Sequence, residues 1–193
     1  MIAIFMILAG AVQSAPYPAE EVLSEFRQVC ITQPSGAAIV AAAEQRGWRS
    51  FTPEAGSTLA RTLETSSRLF ASINLTPQMP SYWKDIGGRR LEMVVVQGRV
   101  PFEGQPRNLI NCVIYDFSAR RPIETQRLRA WAGRDPTNQG GDQGFIETVW
   151  TPGLAALPSE TRIAFVPDTL AYRAEFPFTG IALVSDVFEQ ESE

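Results

Sequence analysis

The sequence LEMVVVQGRV, residues 91–100, is followed after a turn by NLINCVIYDF, residues 108–117, and these two stretches decide the fold class. Both are rich in valine and isoleucine, and the turn between them contains glycine and proline, which is typical of two neighbouring strands. We expect an antiparallel pair. The two-residue period of a strand divides the second stretch between two faces. One face carries Ile110, Cys112, Ile114 and Asp116, and the other carries Leu109, Asn111, Val113, Tyr115 and Phe117.

Helices are expected before this pair and further strands after it. The stretch AEEVLSEFRQVC predicts a helix over residues 19–30 with Cys30 facing the core. Ser35 is placed to cap an alanine-rich helix that stops at Gly47, with Trp48 as an anchor. Residues 58–70 and 122–131 predict two more helices, and FIETVW, TRIAFVP and GIALVSDVF predict three more strands. The expected fold is α+β, with a mostly antiparallel sheet of about five strands, N-terminal helices preceding the strands, and helices on one face of the sheet.

The first residues, MIAIFMILAGAVQSA, predict a signal peptide over residues 1–14. The apolar run over residues 2–12 is shorter than the roughly 20 residues that cross a bilayer as a helix. Val12 and Ser14 suit the −3 and −1 positions of a cleavage site, although no lysine or arginine precedes the run. The alternative is a buried N-terminal helix or strand. We therefore expect a periplasmic or secreted protein with no stable membrane anchor after processing, in which residues 15–193 form a single α+β domain.

Cys30 and Cys112 are the only cysteines of the chain. An even pair in an exported protein is typically joined, so we predict a disulfide between them. The alternatives are two buried thiols or one reactive thiol.

Composition excludes several function classes. The chain has 193 residues and no histidine, which removes histidine-activated serine and cysteine nucleophiles and the commonest zinc ligand. Its net charge of −4 has the wrong sign for neutralising phosphates, so we expect no nucleic-acid partner. No P-loop, dinucleotide-binding or zinc motif occurs.

Two short motifs have a chemical interpretation beside a plain one. Ser81 and Lys84 fit the S-x-x-K pattern of serine acyl-transfer enzymes, but the companion elements are missing, and we favour a loop anchored by Trp83. The segment RDPTNQGGDQG offers oxygen ligands for a cation, but it lacks EF-hand spacing and reads more simply as a turn between strands. Its candidate ligands are Asp135, Asn138 and Asp142.

Two scattered sets of charged residues complete the candidates. One is a group of arginines around the fourth predicted helix, which suits a carboxylate or phosphate partner or, more simply, a solvated helix face. It consists of Arg120, Arg121, Arg127, Arg129 and Arg134. The other is a set of acids that, if paired, support glycan hydrolysis without histidine. It consists of Asp116, Glu124, Glu147 and Asp186.

The elements FRQVC, AAAEQRGW, NCVIYDF and RLRAWAG follow the signal peptide in this order. In them the chain resembles a group of small exported proteins of Gram-negative bacteria, with a cysteine, an alanine-rich helix ending in Gly47-Trp48, and a second cysteine in a strand. The similarity spans most of residues 19–133. It implies export and the Cys30–Cys112 bridge, and it transfers no activity and no site.

Two function hypotheses follow. The first is an exported, non-catalytic binding or accessory module for an unidentified protein or small molecule. The second is a small carboxylate-based hydrolase of cell-envelope glycan, and a carrier of hydrophobic ligands is a weaker third possibility. We favour the first, and the sequence assigns no catalytic, cofactor-binding or metal-binding residue.

Overall fold

The computed structural model describes residues 16–72, 74–102, 105–155, 159–169 and 177–189. Within these residues the chain is an α+β structure with four α-helices and one antiparallel sheet of eight strands. The helices are α1 (Ala19–Phe26), α2 (Gly36–Gln45), α3 (Thr58–Ser72) and α4 (Thr125–Ala132), and a π-helical turn (Arg27–Ile31) continues α1. The strands are β1 (Arg49–Phe51), β2 (Ser81–Ile86), β3 (Arg89–Phe102), β4 (Gln105–Asp116), β5 (Asn138–Gly140), β6 (Ile146–Trp150), β7 (Ser159–Val166) and β8 (Gly180–Glu189).

The sheet consists of two runs of consecutive strands joined in the middle. Its order is β1-β2-β3-β4-β8-β7-β6-β5, and all neighbours are antiparallel. The predicted pairing of the two central stretches is confirmed, with Val95 opposite Cys112 across β3 and β4. Cys112 also lies opposite Ser185 of β8. The cysteine therefore lies on β4, the strand through which the two runs are joined.

The prediction of about five strands is wrong, because the structure adds β1, β2 and β5. Strands β1 and β5 have three residues each and form the two edges of the sheet, so neither carries enough alternation to be recognised in the sequence. Strand β2 lies where we expected a loop anchored by Trp83. Its central residues Trp83-Lys84-Asp85 carry no apolar alternation, but its ends, Ser81, Tyr82 and Ile86, are buried.

One face of the sheet, which we call the closed face, is covered by α1, the π-helical turn, α2 and α4. Helix α1 buries Val22, Leu23 and Phe26 there, and α2 begins at Ser35, whose hydroxyl accepts a hydrogen bond from the Ala38 amide. The predicted apolar stripe of α1 and the predicted Ser35 cap of α2 are both confirmed. The sheet side of this core is built from residues of β2, β3, β4, β6, β7 and β8. They are Tyr82, Ile86, Leu91, Met93, Val95, Ile110, Cys112, Ile114, Trp150, Ile163, Phe165, Ile181, Leu183 and Val187.

Helix ends follow from two glycines. Gly47 and Gly133 have φ values of 83° and 73°, a left-handed conformation that glycine adopts without strain, and they follow α2 and α4. Trp48 is then buried, as predicted. Helix α4 begins at Thr125 rather than at the expected residue 122.

Helix α3 lies on the opposite face of the sheet, which we call the α3 face. Leu59 packs there with Val94 and Val96 of β3, and Leu63 and Phe70 contact the same cluster. The expectation that helices cover only one face is therefore wrong. The expected order fits in part: α1 and α2 precede the described strands and α4 stands between strands as expected, but α3 follows the short edge strand β1.

The predicted disulfide is present. Cys30 of the π-helical turn is joined to Cys112 of β4, with a Cα–Cα distance of 5.5 Å and a sequence separation of 82. A loop of this length corresponds to a stabilisation of about 4–5 kcal/mol in the chain-entropy model. The bridge fastens the N-terminal helix to the centre of the sheet.

The predicted signal peptide, residues 1–14, lies outside the described residues. No helix in the described ranges combines the length and apolarity that a membrane-spanning helix needs.

Candidate functional site

Half of the α3 face carries no described helix. We call it the uncovered half in the sense that none of the described helices lies over it. It is formed by β4, β8, β7 and β6, whose outward positions include Asn111, Arg162 and Asp186. Helix α3 stands over the other half, against β3. A groove therefore runs along the exposed side of α3.

The groove has a volume of about 620 Å³. One wall is a stripe of α3, because residues three, four and seven apart share a side of a helix. The other wall is the short segment that leads into β8. The lining residues are Thr58, Arg61, Glu64, Thr65, Arg68, Pro177, Phe178 and Thr179.

Two arginines give this groove its chemistry. Arg61 donates from Nη1 to the Gly56 carbonyl at 2.9 Å and from Nη2 to the Thr58 hydroxyl at 3.4 Å. Arg68 donates from Nη2 to the Thr65 hydroxyl at 3.3 Å. Neither forms an ion pair with any residue in the described ranges. Each guanidinium keeps further N–H donors, which suit a carboxylate or phosphate.

An aromatic cluster lies behind the groove. The ring of Phe178 meets Tyr115 edge-on at a centroid distance of 5.3 Å and Phe117 at 6.1 Å, and Tyr115 stacks on Phe117 at 5.1 Å. Burial, and secondarily the charge of Asp186, raises the pKa of the Tyr115 hydroxyl, so it stays neutral at physiological pH. Phe178 lines the groove and gives it an apolar side, with Tyr115 and Phe117 packed behind it.

Further along the uncovered half lies a cluster of charges, which we call the Arg162 cluster. Arg162 Nη2 lies 2.9 Å from Glu160 and 3.2 Å from Asp186, and its Nε lies 3.7 Å from Glu147. The Asn111 amide donates to Asp186. Burial raises the pKa of Asp186, and the bonds from Asn111 and Arg162 only partly oppose it.

The structure thus separates the four acids predicted from sequence into three places. Glu147 and Asp186 come together in the Arg162 cluster. Asp116 is fully buried on the closed face, 3.2 Å from Arg89. Glu124 is exposed and pairs with Arg127 at 3.5 Å.

Ser81 and Lys84 do not face one another. They are three residues apart on strand β2, so their side chains point to opposite faces of the sheet. Lys84 donates to Glu25 of α1 at 2.9 Å. The S-x-x-K arrangement for serine activation is therefore absent at these two residues.

The segment weighed as a cation loop does not gather its three candidate ligands. Asp135 precedes β5 and pairs with Arg129 at 3.1 Å, Asn138 begins β5, and Asp142 follows β5 and accepts a hydrogen bond from the backbone N–H of Gln143. No group of three acidic or cysteine residues in the described ranges is arranged to hold a metal ion.

The arginines around α4 divide between partners. Arg127 and Arg129 form the ion pairs given above, and Arg134 donates to the carbonyls of Pro152 and Gly153. Arg120 and Arg121 are exposed. The set is a solvated surface with local pairs rather than one convergent site.

Sequence reasoning missed five residues of the uncovered half and its groove. They are Arg61, Arg68, Glu160, Arg162 and Phe178. A signal existed for the first two, because threonine precedes arginine by three residues twice, in TLAR and TSSR, seven residues apart within α3. Phe178 and the Arg162 cluster had no such signal, since strand order decides their neighbours.

Comparisons with known proteins do not identify a family for this chain. The sequence matches no protein-family model, and no curated protein or solved structure is significantly similar to the chain.

Proposed function

We propose that the protein is an exported, non-catalytic binding module whose groove along α3 takes a small ligand bearing a carboxylate or phosphate. The two groove arginines carry the proposal, because both present guanidinium N–H groups without a described carboxylate partner. Arginine recognises such anions through paired hydrogen bonds. A volume of about 620 Å³ lies within the usual range for small-molecule sites.

Export is the second part of this proposal. The signal-like leader supports it, and so does the Cys30–Cys112 disulfide, since disulfides persist in oxidising compartments. Fractionation of the native host tests it, because we expect a processed chain outside the cytoplasm that begins near Ala15. A full-length chain in the cytoplasm would contradict it.

The ligand-binding part is tested with inorganic phosphate and citrate at low ionic strength, where charge pairing is least screened. A ligand that binds only the folded state raises its stability, by about 2.7 kcal/mol at a hundredfold excess over Kd. We expect both anions to raise the Tm of the wild type. The rise is expected to disappear in Arg61→Gln/Arg68→Gln. Arg121→Gln, which removes an exposed arginine outside the groove, is the matched control and keeps the rise. An equal rise in all three proteins contradicts the proposal.

A second candidate function, hydrolysis of cell-envelope glycan, rests on one observation. Glu160 and Asp186 are directly opposite one another on β7 and β8. The Cβ atoms at such positions are about 4.5–5.5 Å apart, so the two carboxyl groups start from neighbouring points. Retaining glycosidases hold their two carboxyl groups about 5–5.5 Å apart. Burial raises the pKa of Asp186, as a general acid requires. Arg162 ties both carboxylates in an ion pair, so we rank this function second.

The two functions are separated by an assay of glycan cleavage. If the second holds, the wild type releases new reducing ends from cell-envelope glycan, and both Glu160→Gln and Asp186→Asn abolish the release. Glu124→Gln, an exposed acid outside the cluster, serves as the control and retains it. Absence of turnover by the folded wild type would leave only the binding function.

A further inference from the structure

Helix α3 contains the same pair of residues twice on the groove side. Thr58 and Arg61 form the first pair, and Thr65 and Arg68 form the second, seven residues later. In each pair Nη2 of the arginine donates to Oγ1 of the threonine three residues before it, at 3.4 Å and 3.3 Å. All four residues line the groove.

Each guanidinium donates to the threonine one helical turn earlier, and Arg61 Nη1 donates in addition to the Gly56 carbonyl. Each arginine turns back along the helix toward its threonine, so both are displaced from their Cα atoms in the same direction. The Thr65 hydroxyl also donates to the Arg61 carbonyl at 3.0 Å, which links the second pair to the helix turn that carries the first. Seven residues correspond to about two turns, or about 10.5 Å along the axis. The helix thus sets the spacing of the Cα atoms from which the two guanidinium groups extend.

The charge between the pairs has the opposite sign. Glu64 lies on the same wall, between Arg61 and Arg68. Its carboxylate repels an anion placed midway along the groove and leaves the two ends as the favourable positions. The groove therefore offers two separate places for negative charge rather than one broad basic surface.

We infer that the ligand is a dianion whose two negative groups are about two helical turns apart, with one group bound by Arg61 and the other by Arg68. This inference rests on the proposed function. Joining two anions in one molecule makes the second contact intramolecular, so the affinity exceeds that of either anion alone when the span matches.

The test is calorimetric titration of the oxidised chain at low ionic strength with linear dicarboxylates of increasing length. Succinate is too short to reach both arginines, and extended sebacate spans about two turns. Octanoate supplies a monoanion of comparable apolar length. We expect sebacate to bind at least about tenfold more tightly than succinate or octanoate. We expect Arg61→Gln and Arg68→Gln each to remove that advantage, because one-point contact remains in both, whereas Arg121→Gln keeps it.

The outcomes distinguish this inference from the function on which it rests. If succinate, octanoate and sebacate bind equally and the arginine variants weaken all three, the groove takes anions and the dianion inference is wrong. If sebacate exceeds octanoate equally in the wild type and in both arginine variants, the advantage comes from elsewhere and the inference is again wrong. If no anion, phosphate included, binds the folded wild type, both proposals fail.

Discussion

The two faces of the sheet are held by different means. On the closed face, five of the eight residues of α1 are buried, and the π-helical turn, the disulfide and an aromatic contact between Phe26 and Trp131 continue the same layer. On the α3 face, only Leu59 and Thr62 are buried among the fifteen residues of α3. The closed face supplies most of the burial that stabilises the fold, and the α3 face leaves room for a groove.

Charged groups follow the same division. On the closed face Glu25 accepts hydrogen bonds from Arg46, Lys84 and the Trp48 indole at 2.7–3.1 Å, which together outweigh burial and lower its pKa. On the α3 face Asp186 shares one arginine with two other acids, and burial raises its pKa. Ionised Glu25 thus stabilises the closed face, because hydrogen-bond donors converge on it. Ionised Asp186 lowers the stability of the folded state on the α3 face, because burial disfavours its charge.

The largest expected effect on stability comes from removing the disulfide of the closed face. Replacing both cysteines, in Cys30→Ala/Cys112→Ala, is expected to lower the free energy of unfolding by about 4 kcal/mol, because the unfolded chain regains the entropy of an 82-residue loop. Urea denaturation of the variant and the wild type measures the difference. Phosphate binding by the fraction that stays folded is expected to be unchanged, since the groove lies on the other face. A loss below about 1 kcal/mol contradicts this account of the closed face.

A matched pair of core substitutions compares the two faces directly. Leu23 of α1 and Leu59 of α3 are 2% and 1% exposed, so both lose the same buried atoms when changed to alanine. We expect Leu23→Ala to cost about 3–4 kcal/mol and Leu59→Ala about 2 kcal/mol. The cost depends on how well the site collapses around the cavity, and α3 has space on its exposed sides to settle inward.

Equilibrium urea unfolding of the two variants checks this order. Leu69→Ala, at the most exposed large apolar residue of α3 in the described ranges, is the control and is expected to change stability by less than about 0.5 kcal/mol. Equal costs for Leu23→Ala and Leu59→Ala would show that α3 is packed as rigidly as α1.

The smallest expected effect concerns pH and has opposite signs on the two faces. The folded pKa of Glu25 lies below its ordinary value of 4.5, so its contribution is present above pH 4.5 and is lost as the pH falls toward the folded pKa. The folded pKa of Asp186 lies above its ordinary value of 3.8, so its contribution is greatest below pH 3.8 and is lost as the pH rises through the folded pKa.

Glu25→Gln and Asp186→Asn test these signs in the same series of unfolding measurements between pH 3 and pH 7. We expect the deficit of Glu25→Gln relative to the wild type to shrink as the pH falls. We expect Asp186→Asn to gain stability relative to the wild type as the pH rises, with no slope steeper than about 1.4 kcal/mol per pH unit for one group. Slopes of the same sign for both variants would contradict the division between the faces.

Local pattern was enough to predict much of the scaffold. The alternation of β4 placed Cys112 and Asp116 on one face and Asn111 and Tyr115 on the other, and the structure has them so. Ser35 and Gly47 marked the ends of α2 because capping depends on residues adjacent in sequence. The edge strands β1 and β5 escaped prediction because three residues hold too little pattern.

The candidate site was predicted least well, because its members belong to distant parts of the chain. Glu147 and Asp186 were recognised as acids, but only strand order brings them to Arg162. The S-x-x-K spacing offered Lys84 as a partner for Ser81, although a plain loop was favoured, and the strand turns Lys84 toward Glu25 of α1.

The amino-acid sequence by itself determined the α+β class, the three late strands, the helices before β4 and the pairing of its two cysteines, since each depends on short-range periodicity or on a count of one residue type. The tertiary structure alone decided that β8 lies beside β4, that α3 crosses to the other face, and that Arg61 and Arg68 line a groove with Phe178. Those contacts join residues far apart in the chain, and their free energy comes from burial that no local segment achieves alone.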